Sequence, residues 1–596
     1  MRTPLRPLAR ILQARQEGLN PDSIEKENLK QRHEVLREKA RGRAQFRLLI
    51  LCASFVFAFG AIGARMGLMA ATEPVEPKSS APGAEILAQR ADITDRNGRV
   101  LATNITTHAV YAHPKVMVDP KGTAQKLAEI FPELDAKALE RRFTDGRSFV
   151  WIRKVLSPEQ MQKVHEIGDP GLLFGPREMR LYPNGTLAAH VLGGTSFGAE
   201  GVHSAEVIGV AGIEKAMDVR LRDPAQGGKP LTLSIDLTLQ STIEEVLAAG
   251  MGMLKAKGAA AILMDARTGE ILAMASLPTF DPNDRPAPIV DKNAEPGDSP
   301  LFNRAVQGVY ELGSTFKIFA VAQAMELGLV NPDTMVDANA PMIWGKHRIN
   351  EFEGHNYGPL LSVTDVIAKS SNVGTAHIAL MIGPLRQQAF LKSLGFFDPT
   401  PIELVEAPGA KPLLPKKWPE IVTITTSYGH GMSASPLHLA AAYAAIANGG
   451  VMIKPTLMKR DGPTTGVRVM SEKTALDSVK MLRRVVTEGT ASLGDVPGYE
   501  VAGKTGTAEK PKKTGGYYKD KDVNTFAAMF PASNPQYVLI VTLDEPKDDT
   551  LSEVRSTAGW TAVPVAAEII RRVAPLMGLR PKLEPVAPDA VTAASN

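Results

Sequence analysis

Ser314 and Lys317 stand three residues apart at the opening of an apolar run, Phe316 to Leu327. On a helix, that spacing puts both side chains on one face, one turn apart. A serine at a helix start also sits among unpaired backbone N–H groups and the positive end of the helix dipole, which favour developing negative charge. A hydroxyl beside an amine is the arrangement of an activated nucleophile and its base. A lysine serves as a base only when neutral, so Lys317 has to be desolvated or held near other cations.

Two further groups follow in the chain. Ser370-Ser371-Asn372 ends the helical stretch Ser362 to Lys369. Lys504-Thr505-Gly506-Thr507 follows Tyr499 to Gly503, a β-prone run ending in glycine. A strand there would present one ammonium and two hydroxyls, with Gly506 admitting a ligand backbone. That set suits a peptide carboxylate. The same spacings recur at Ser23/Lys26 in a charged tail and at Lys513-Thr514-Gly515 in a Lys/Pro/Gly loop. Their surroundings read as solvated surface.

Lys504 also completes a phosphate-loop pattern, Gly498 to Thr505, and Leu539 to Glu545 imitates an apolar strand ending in magnesium-binding acids. A nucleotide hydrolase is therefore a rival reading. Its loop should follow a buried strand and open a helix. Here Gly494-Asp-Val-Pro497 precedes it, and Gly506, Pro511 and Gly515 prevent a helix after it.

At 596 residues the chain exceeds one ordinary domain. Leu48 to Ala64 is an uncharged run of 17 residues, the lower limit for a membrane-spanning helix. It extends to about Ala71 if Arg65 snorkels to the interface. The 47 residues before it are too long for the n-region of a cleaved signal, so an uncleaved anchor is expected. Residues 1–47 hold 12 Lys/Arg against 6 Asp/Glu, a net of +6, while the whole chain carries +4 and the remainder therefore −2. The positive-inside rule puts this tail in the cytoplasm and the rest outside. Its basicity reads as topology and attraction to acidic lipid headgroups, not as nucleic-acid binding. From Glu25 to Arg47 the tail can form a charged, solvated helix. The single cysteine, Cys52, lies in the apolar run, so the exported part has neither disulfides nor thiol chemistry. Scattered histidines show no ligand spacing, so no metal and no cofactor is expected.

Residues 72–83 form a Pro-rich linker. Ala91 to Ala102 reads as a hairpin in which Asn97-Gly98 supplies positive φ angles. Short strands and helices such as Pro158 to Ile167 continue to about 229 without any nucleophile constellation, which suggests a supporting role. Lys229 to Asp236 opens a new unit, followed by a helix over 239–253. The strands Ala259–Met264 and Glu270–Ala275 flank the turn Ala266 to Gly269. With helices around Ser314 and Ser370, and strands near Lys504 and over 537–543, the pattern predicts an α+β domain, an antiparallel sheet covered by helices. Pro581 to Asn596 is Pro/Ala-rich and reads as disordered.

The three motifs together are those of class A β-lactamases and penicillin-binding proteins. Over residues 84–575 the chain more closely resembles class B penicillin-binding proteins. The likeness rests on Asp95-Arg-Asn-Gly98, Arg180-Leu-Tyr-Pro183, Gly209 to Glu214, Thr232 to Asp236, Asn303-Arg304, Gly429-His-Gly431 and Ala447-Asn-Gly-Gly450. Ala91 and Leu312 depart from the family pattern, and neither is a catalytic group. The long basic tail and the lack of repeats after Gly578 resemble the division-specific FtsI type.

The resemblance implies a cytoplasmic tail (1–47), a transmembrane anchor (48–71), the linker (72–83), an elongated supporting or pedestal domain (84–229), a transpeptidase domain (230–578) and a tail (579–596). Ser314 would attack the D-Ala–D-Ala carbonyl of a peptidoglycan stem peptide, with Lys317 as base. Ser370 and Lys504 would relay a proton to the leaving D-Ala, and Asn372 would orient the donor and Lys317. Thr505, Gly506 and Thr507 would bind the terminal carboxylate, and the N–H groups of Ser314 and Thr507 would form an oxyanion hole. A neighbouring stem amine would accept the acyl group, and β-lactams would trap Ser314. His430 is read as packing beside the site. Implied partners are the membrane, an FtsW-type glycosyltransferase and division proteins of the FtsN, FtsQ, FtsL and FtsB types, at the septum of the inner membrane with the catalytic domain periplasmic. Alternatives are the elongation-type relative, and a D,D-carboxypeptidase, β-lactamase or β-lactam sensor.

Overall fold

The computed structural model describes residues 7–71, 90–200, 205–291, 294–512, 515–549 and 555–582. The linker at 72–83 and all but the first residues of the C-terminal tail lie outside the described residues, as do Lys513 and Thr514. Contacts divide the chain into two units, 1–86 and 87–596.

The first unit holds a short helix, Leu8–Gln16, and a continuous helix, Pro21–Ala71. Ser23 is exposed there and its hydroxyl donates to the Asn20 carbonyl, so the Ser23/Lys26 pair is an ordinary helix start. The segment Pro21–Ala64 contains a window of mean hydropathy 2.1, long and apolar enough to cross a membrane. Its apolar side chains point outward, Phe57 being 80% exposed, as on a helix whose surroundings are lipid.

In the second unit, Val100–Ala112 is the central strand of the first sheet and pairs antiparallel with Ile93–Thr94, Val150–Leu156 and Leu172–Leu181. The turn after Ile93–Thr94 spans Asp95 to Gly98, and its positive φ falls on Gly98 alone. The two-residue turn expected at Asn97-Gly98 is thus a longer loop, tied by Asp95 Oδ1 accepting from the N–H groups of Asn97 and Arg99. Leu127, Phe131, Phe143 and Val150 fill the core beneath. Leu231–Thr232 pairs in parallel with Ile93–Thr94, so backbone pairing runs across the position at which a new unit was expected to open.

Beyond it lies a five-stranded antiparallel sheet in the spatial order 502–511, 517–530, 537–544, 258–265 and 271–277. Residues 258–265 and 271–277 are buried at every position, and 537–544 at all but its first. Their near-continuous apolar runs follow from having both faces covered. Leu237–Met253, Pro436–Ala447, Glu472–Thr487 and Ala562–Leu576 are among the helices packed on the sheet. This is the expected α+β arrangement. The edge strand Ala502–Pro511 carries Lys504 and faces the turn that carries Ser314. Because residues 502–511 are a strand, no helix follows Thr505, and the phosphate loop that would require one is absent.

Candidate active site

Ser314 lies in a single 3₁₀ turn, Gly313–Phe316, that runs straight into the helix Lys317–Glu326. The turn is held from below: Tyr443 Oη donates to the Thr315 carbonyl at 2.8 Å, and Thr315 Oγ1 donates to the Leu312 carbonyl at 2.8 Å. Phe316, Phe319, Phe396 and Tyr443 pack edge to face beneath it. Ser314 is half-buried while its neighbours on both sides are buried, so its hydroxyl is the part of the turn that faces outward.

Gly506 has a role the sequence did not disclose. A Cβ there would lie 2.3 Å from the Leu312 carbonyl oxygen and 2.8 Å from Thr315 Cγ2. The backbone that approaches it is the turn that carries Ser314. Gly313, at φ +53°, meets the same strand from the other side, where a Cβ would lie 2.7 Å from the Thr507 carbonyl. Glycine at both positions lets the serine turn and the lysine strand touch.

The segment Ser370–Asn372 joins two helices, Val363–Ala368 and Asn372–Ile382. Ser370 takes a left-handed conformation, φ +61°, at a cost of about 1 kcal/mol or more for a residue with a side chain. The result turns both its carbonyl and its hydroxyl toward the lysines. Lys317 Nζ donates to the Ser370 carbonyl and to Ser370 Oγ at 3.1 Å. Lys504 Nζ donates to the same Oγ at 2.9 Å and to the Thr505 carbonyl at 3.2 Å. One hydroxyl is therefore shared by two amines. Among the described residues Lys317 is hydrogen-bonded to Ser370, not to Ser314, although spacing placed it beside Ser314.

Both lysines are 0% exposed. Burial drives the Lys317 pKa down to about 7, opposed by the Glu351 carboxylate. Burial also lowers Lys504 well below the usual lysine range, and the Lys317 charge lowers it further. Near neutral pH Lys317 therefore spends a large share of its time as an uncharged amine, the state in which it can take a proton.

Glu351 is the residue that sequence reading missed. Its carboxylate is buried against the start of the helix Asn372–Ile382, accepting from Ser371 Oγ at 2.6 Å, Asn372 N at 2.6 Å and Val373 N at 3.2 Å. An anion at a helix N-terminus satisfies unpaired N–H groups and the dipole together. It thereby orders the Ser370–Asn372 corner, and its charge acts on Lys317. Glu351 lies 20 residues before Ser371 in an irregular loop, so no spacing could have marked it.

Asn372 Nδ2 donates to the Asn350 carbonyl at 3.0 Å, so its amide is engaged away from Lys317. Thr505 Oγ1 pairs with Thr490 Oγ1 at 2.7 Å, and Thr507 Oγ1 accepts from Ala558 N at 3.0 Å. Each keeps hydrogen-bonding capacity for a ligand. Ser314, Lys317, Ser370, Lys504, Thr505 and Thr507 thus converge where three segments distant in sequence meet, with Asn372 at the margin. Among the described residues, no group of three or more His, Cys, Asp or Glu is placed to hold a metal ion.

Residues 259–571 match the penicillin binding protein transpeptidase domain, and residues 85–231 the penicillin-binding protein dimerisation domain. The chain is 37% identical over 508 residues to the probable peptidoglycan D,D-transpeptidase FtsI of Caulobacter vibrioides, covering 83% of this chain and 82% of that protein. It is 28% identical over 527 residues to the peptidoglycan D,D-transpeptidase FtsI of Escherichia coli, covering 83% and 85%. A crystal structure of penicillin binding protein 3 from Mycobacterium tuberculosis, complexed with aztreonam, superposes with a TM-score of 0.61 at 26% identity, covering 84% of this chain and 99% of that one.

Proposed function

This chain belongs to the penicillin-binding protein transpeptidases of the FtsI type, and from that premise we propose that it crosslinks peptidoglycan through an acyl-enzyme on Ser314 during septal wall synthesis. The observation that carries the reading is the shared Ser370 hydroxyl, held by two fully buried lysines behind the serine turn. Neutral Lys317 takes the Ser314 proton, directly or through Ser370 Oγ, as Ser314 Oγ attacks the carbonyl of the penultimate D-Ala. A tetrahedral oxyanion forms and collapses, and the amine of the terminal D-Ala leaves with a proton relayed through Ser370 and Lys504. The N–H groups of Ser314 and Thr507 stabilise the oxyanion. Thr505 and Thr507 hold the leaving carboxylate, and Asn372 lines the donor peptide. The amine of a neighbouring stem then resolves the ester and leaves a crosslink. A β-lactam enters the same first step and stays on Ser314.

The helix Pro21–Ala71 serves as a single-pass anchor with the basic tail cytoplasmic and the second unit periplasmic, as the net +6 of residues 1–47 favours. Residues 84–229 form the supporting domain and 230–578 the transpeptidase domain. An FtsW-type glycosyltransferase and FtsN-, FtsQ-, FtsL- and FtsB-type proteins are the partners a septal role calls for.

Intact-mass measurement after incubation with penicillin tests the assignment. One adduct is expected on the wild type and none on Ser314→Ala. An adduct that survives in Ser314→Ala moves the nucleophile elsewhere, and rapid release of the adduct makes the enzyme a hydrolase.

A further inference from the structure

Glu311, three residues before Ser314, is buried and accepts three hydrogen bonds. These come from His430 Nδ1 at 2.9 Å, Gly431 N at 3.0 Å and Tyr517 Oη at 3.1 Å. An ionised carboxylate only accepts, so the Nδ1 that faces it carries the proton and neutral His430 has its lone pair on Nε2. The His430 side chain is 33% exposed, and Nε2 makes no hydrogen bond among the described residues. The ring is set edge to face against Tyr428 and Tyr517, which fix its plane. A carboxylate-oriented imidazole with its free nitrogen open to solvent is a built general base.

Its position ties it to the nucleophile. Gly429, the preceding residue, touches the serine turn so closely that a Cβ would lie 1.9 Å from the Gly313 carbonyl oxygen. Glu311 and Ser314 are borne on the same short segment. Yet the proton of Ser314 already has two amines and Ser370 to go to, so acylation has no need of a further base. The second half-reaction does. An acceptor amine arrives as R–NH₃⁺ and must lose two protons to become an amide nitrogen, and only one of them can return to Ser314.

We propose that His430, oriented by Glu311, is the base that deprotonates the acceptor amine, which rests on the transpeptidase reading above. The ester on Ser314, R–NH₃⁺ and neutral His430 give the new amide, free Ser314 hydroxyl and protonated His430. The C–N bond forms, the bond from carbonyl carbon to Ser314 Oγ breaks, one amine proton goes to Nε2, and the other reaches Ser314 Oγ through Lys317 and Ser370. Total charge is +1 on both sides. The imidazolium is stabilised by Glu311, with Tyr428 and Tyr517 as its other titratable neighbours and Glu509 near Tyr517.

The test separates the half-reactions in the full-length membrane enzyme, using a thioester donor with a D-amino acid or with hydroxylamine as acceptor. His430→Asn keeps an amide N–H where Nδ1 points at Glu311 and removes Nε2. The ratio of amide product to hydrolysis product from the acyl-enzyme is expected to fall at least tenfold with a D-amino acid. It should fall much less with hydroxylamine, which is already unprotonated at neutral pH, and the rise of the wild-type ratio with pH should flatten. A structural role predicts that His430→Asn retains the wild-type ratio and pH profile, and that result overturns the proposal. An equal loss with both acceptors overturns it too. Failure of the wild type to form any penicillin adduct would count against the transpeptidase reading instead, and is read separately by intact mass.

Discussion

Two places in the second unit bury charge almost completely, and they treat it oppositely. In the region that matches the dimerisation domain, Arg90 and Arg180 are 3% and 1% exposed and converge on Glu214, which is 0% exposed. Arg90 Nε donates to Glu214 Oε2 at 2.6 Å, Arg180 Nε to Oε1 at 2.7 Å, and Arg90 Nη1 to Asp218 Oδ1 at 2.7 Å. Each buried guanidinium there meets a carboxylate, and Arg222 adds a further ion pair to Asp218. In the candidate site, two equally buried lysines share a neutral hydroxyl, and a carboxylate, Glu351, acts on Lys317 while Lys504 feels the Lys317 charge instead. There the desolvation cost is not matched, and the amines respond by giving up protons. Matched buried charge holds a fold together. Unmatched buried charge makes a reagent, at some cost in stability.

That contrast can be broken in several ways. The largest effect should come from Lys317→Met, which removes the amine and keeps the bulk. Acylation by penicillin is expected to slow by about 10³-fold or more, within the range for loss of an acid–base group and equivalent to about 4 kcal/mol. The melting temperature should hold or rise. Its gain over the wild type should shrink as pH climbs from about 7 toward 10.5, because the folded-state pKa is depressed and neutral lysine is disfavoured only where the unfolded chain would bind the proton. A marked drop in melting temperature would mean that Lys317 stabilises the fold as an ion.

Glu214→Gln makes the opposite cut. It strands Arg90 and Arg180 without their shared anion and should cost about 3–5 kcal/mol of stability, read by thermal or urea unfolding. Molecules that remain folded should acylate at the wild-type rate. Stability within 1 kcal/mol of wild type would show that the arginines find other partners and that the matching argument is wrong.

A smaller effect is expected from Gly506→Ala. Its Cβ would press the Leu312 carbonyl at 2.3 Å and push the serine turn from the lysine strand. A displacement on the order of 1 Å costs about 10²-fold in rate. Acylation should fall by that amount with little loss of penicillin specificity, and wild-type kinetics would show the contact is loose. The mildest test is pH. The acylation rate should rise through an inflection near 7 as Lys317 loses its proton, and be lost toward pH 5. A flat profile from pH 5 to 9 would leave no role for a lysine in this pKa range.

What sequence by itself determined here was whatever depends on neighbours a few positions away. Ser314 before Lys317, the apolar run from Leu48, the strand-forming stretches of the sheet and the helix expected at 239–253 are all local patterns, set by backbone periodicity and burial. The residues of all three motifs were legible for the same reason, as was the discounting of Ser23/Lys26. Tertiary structure decided the connections. Lys317 and Ser370 are 53 residues apart, and Ser370 and Lys504 are 134 apart, so no spacing could show that one hydroxyl serves both amines. Glu351 and Glu311 act only through folded neighbours, and Gly506 makes room for its own chain where a ligand had been expected. Desolvation depends on everything packed around a group at once, and that is why the reactivity of the lysines became readable only in three dimensions.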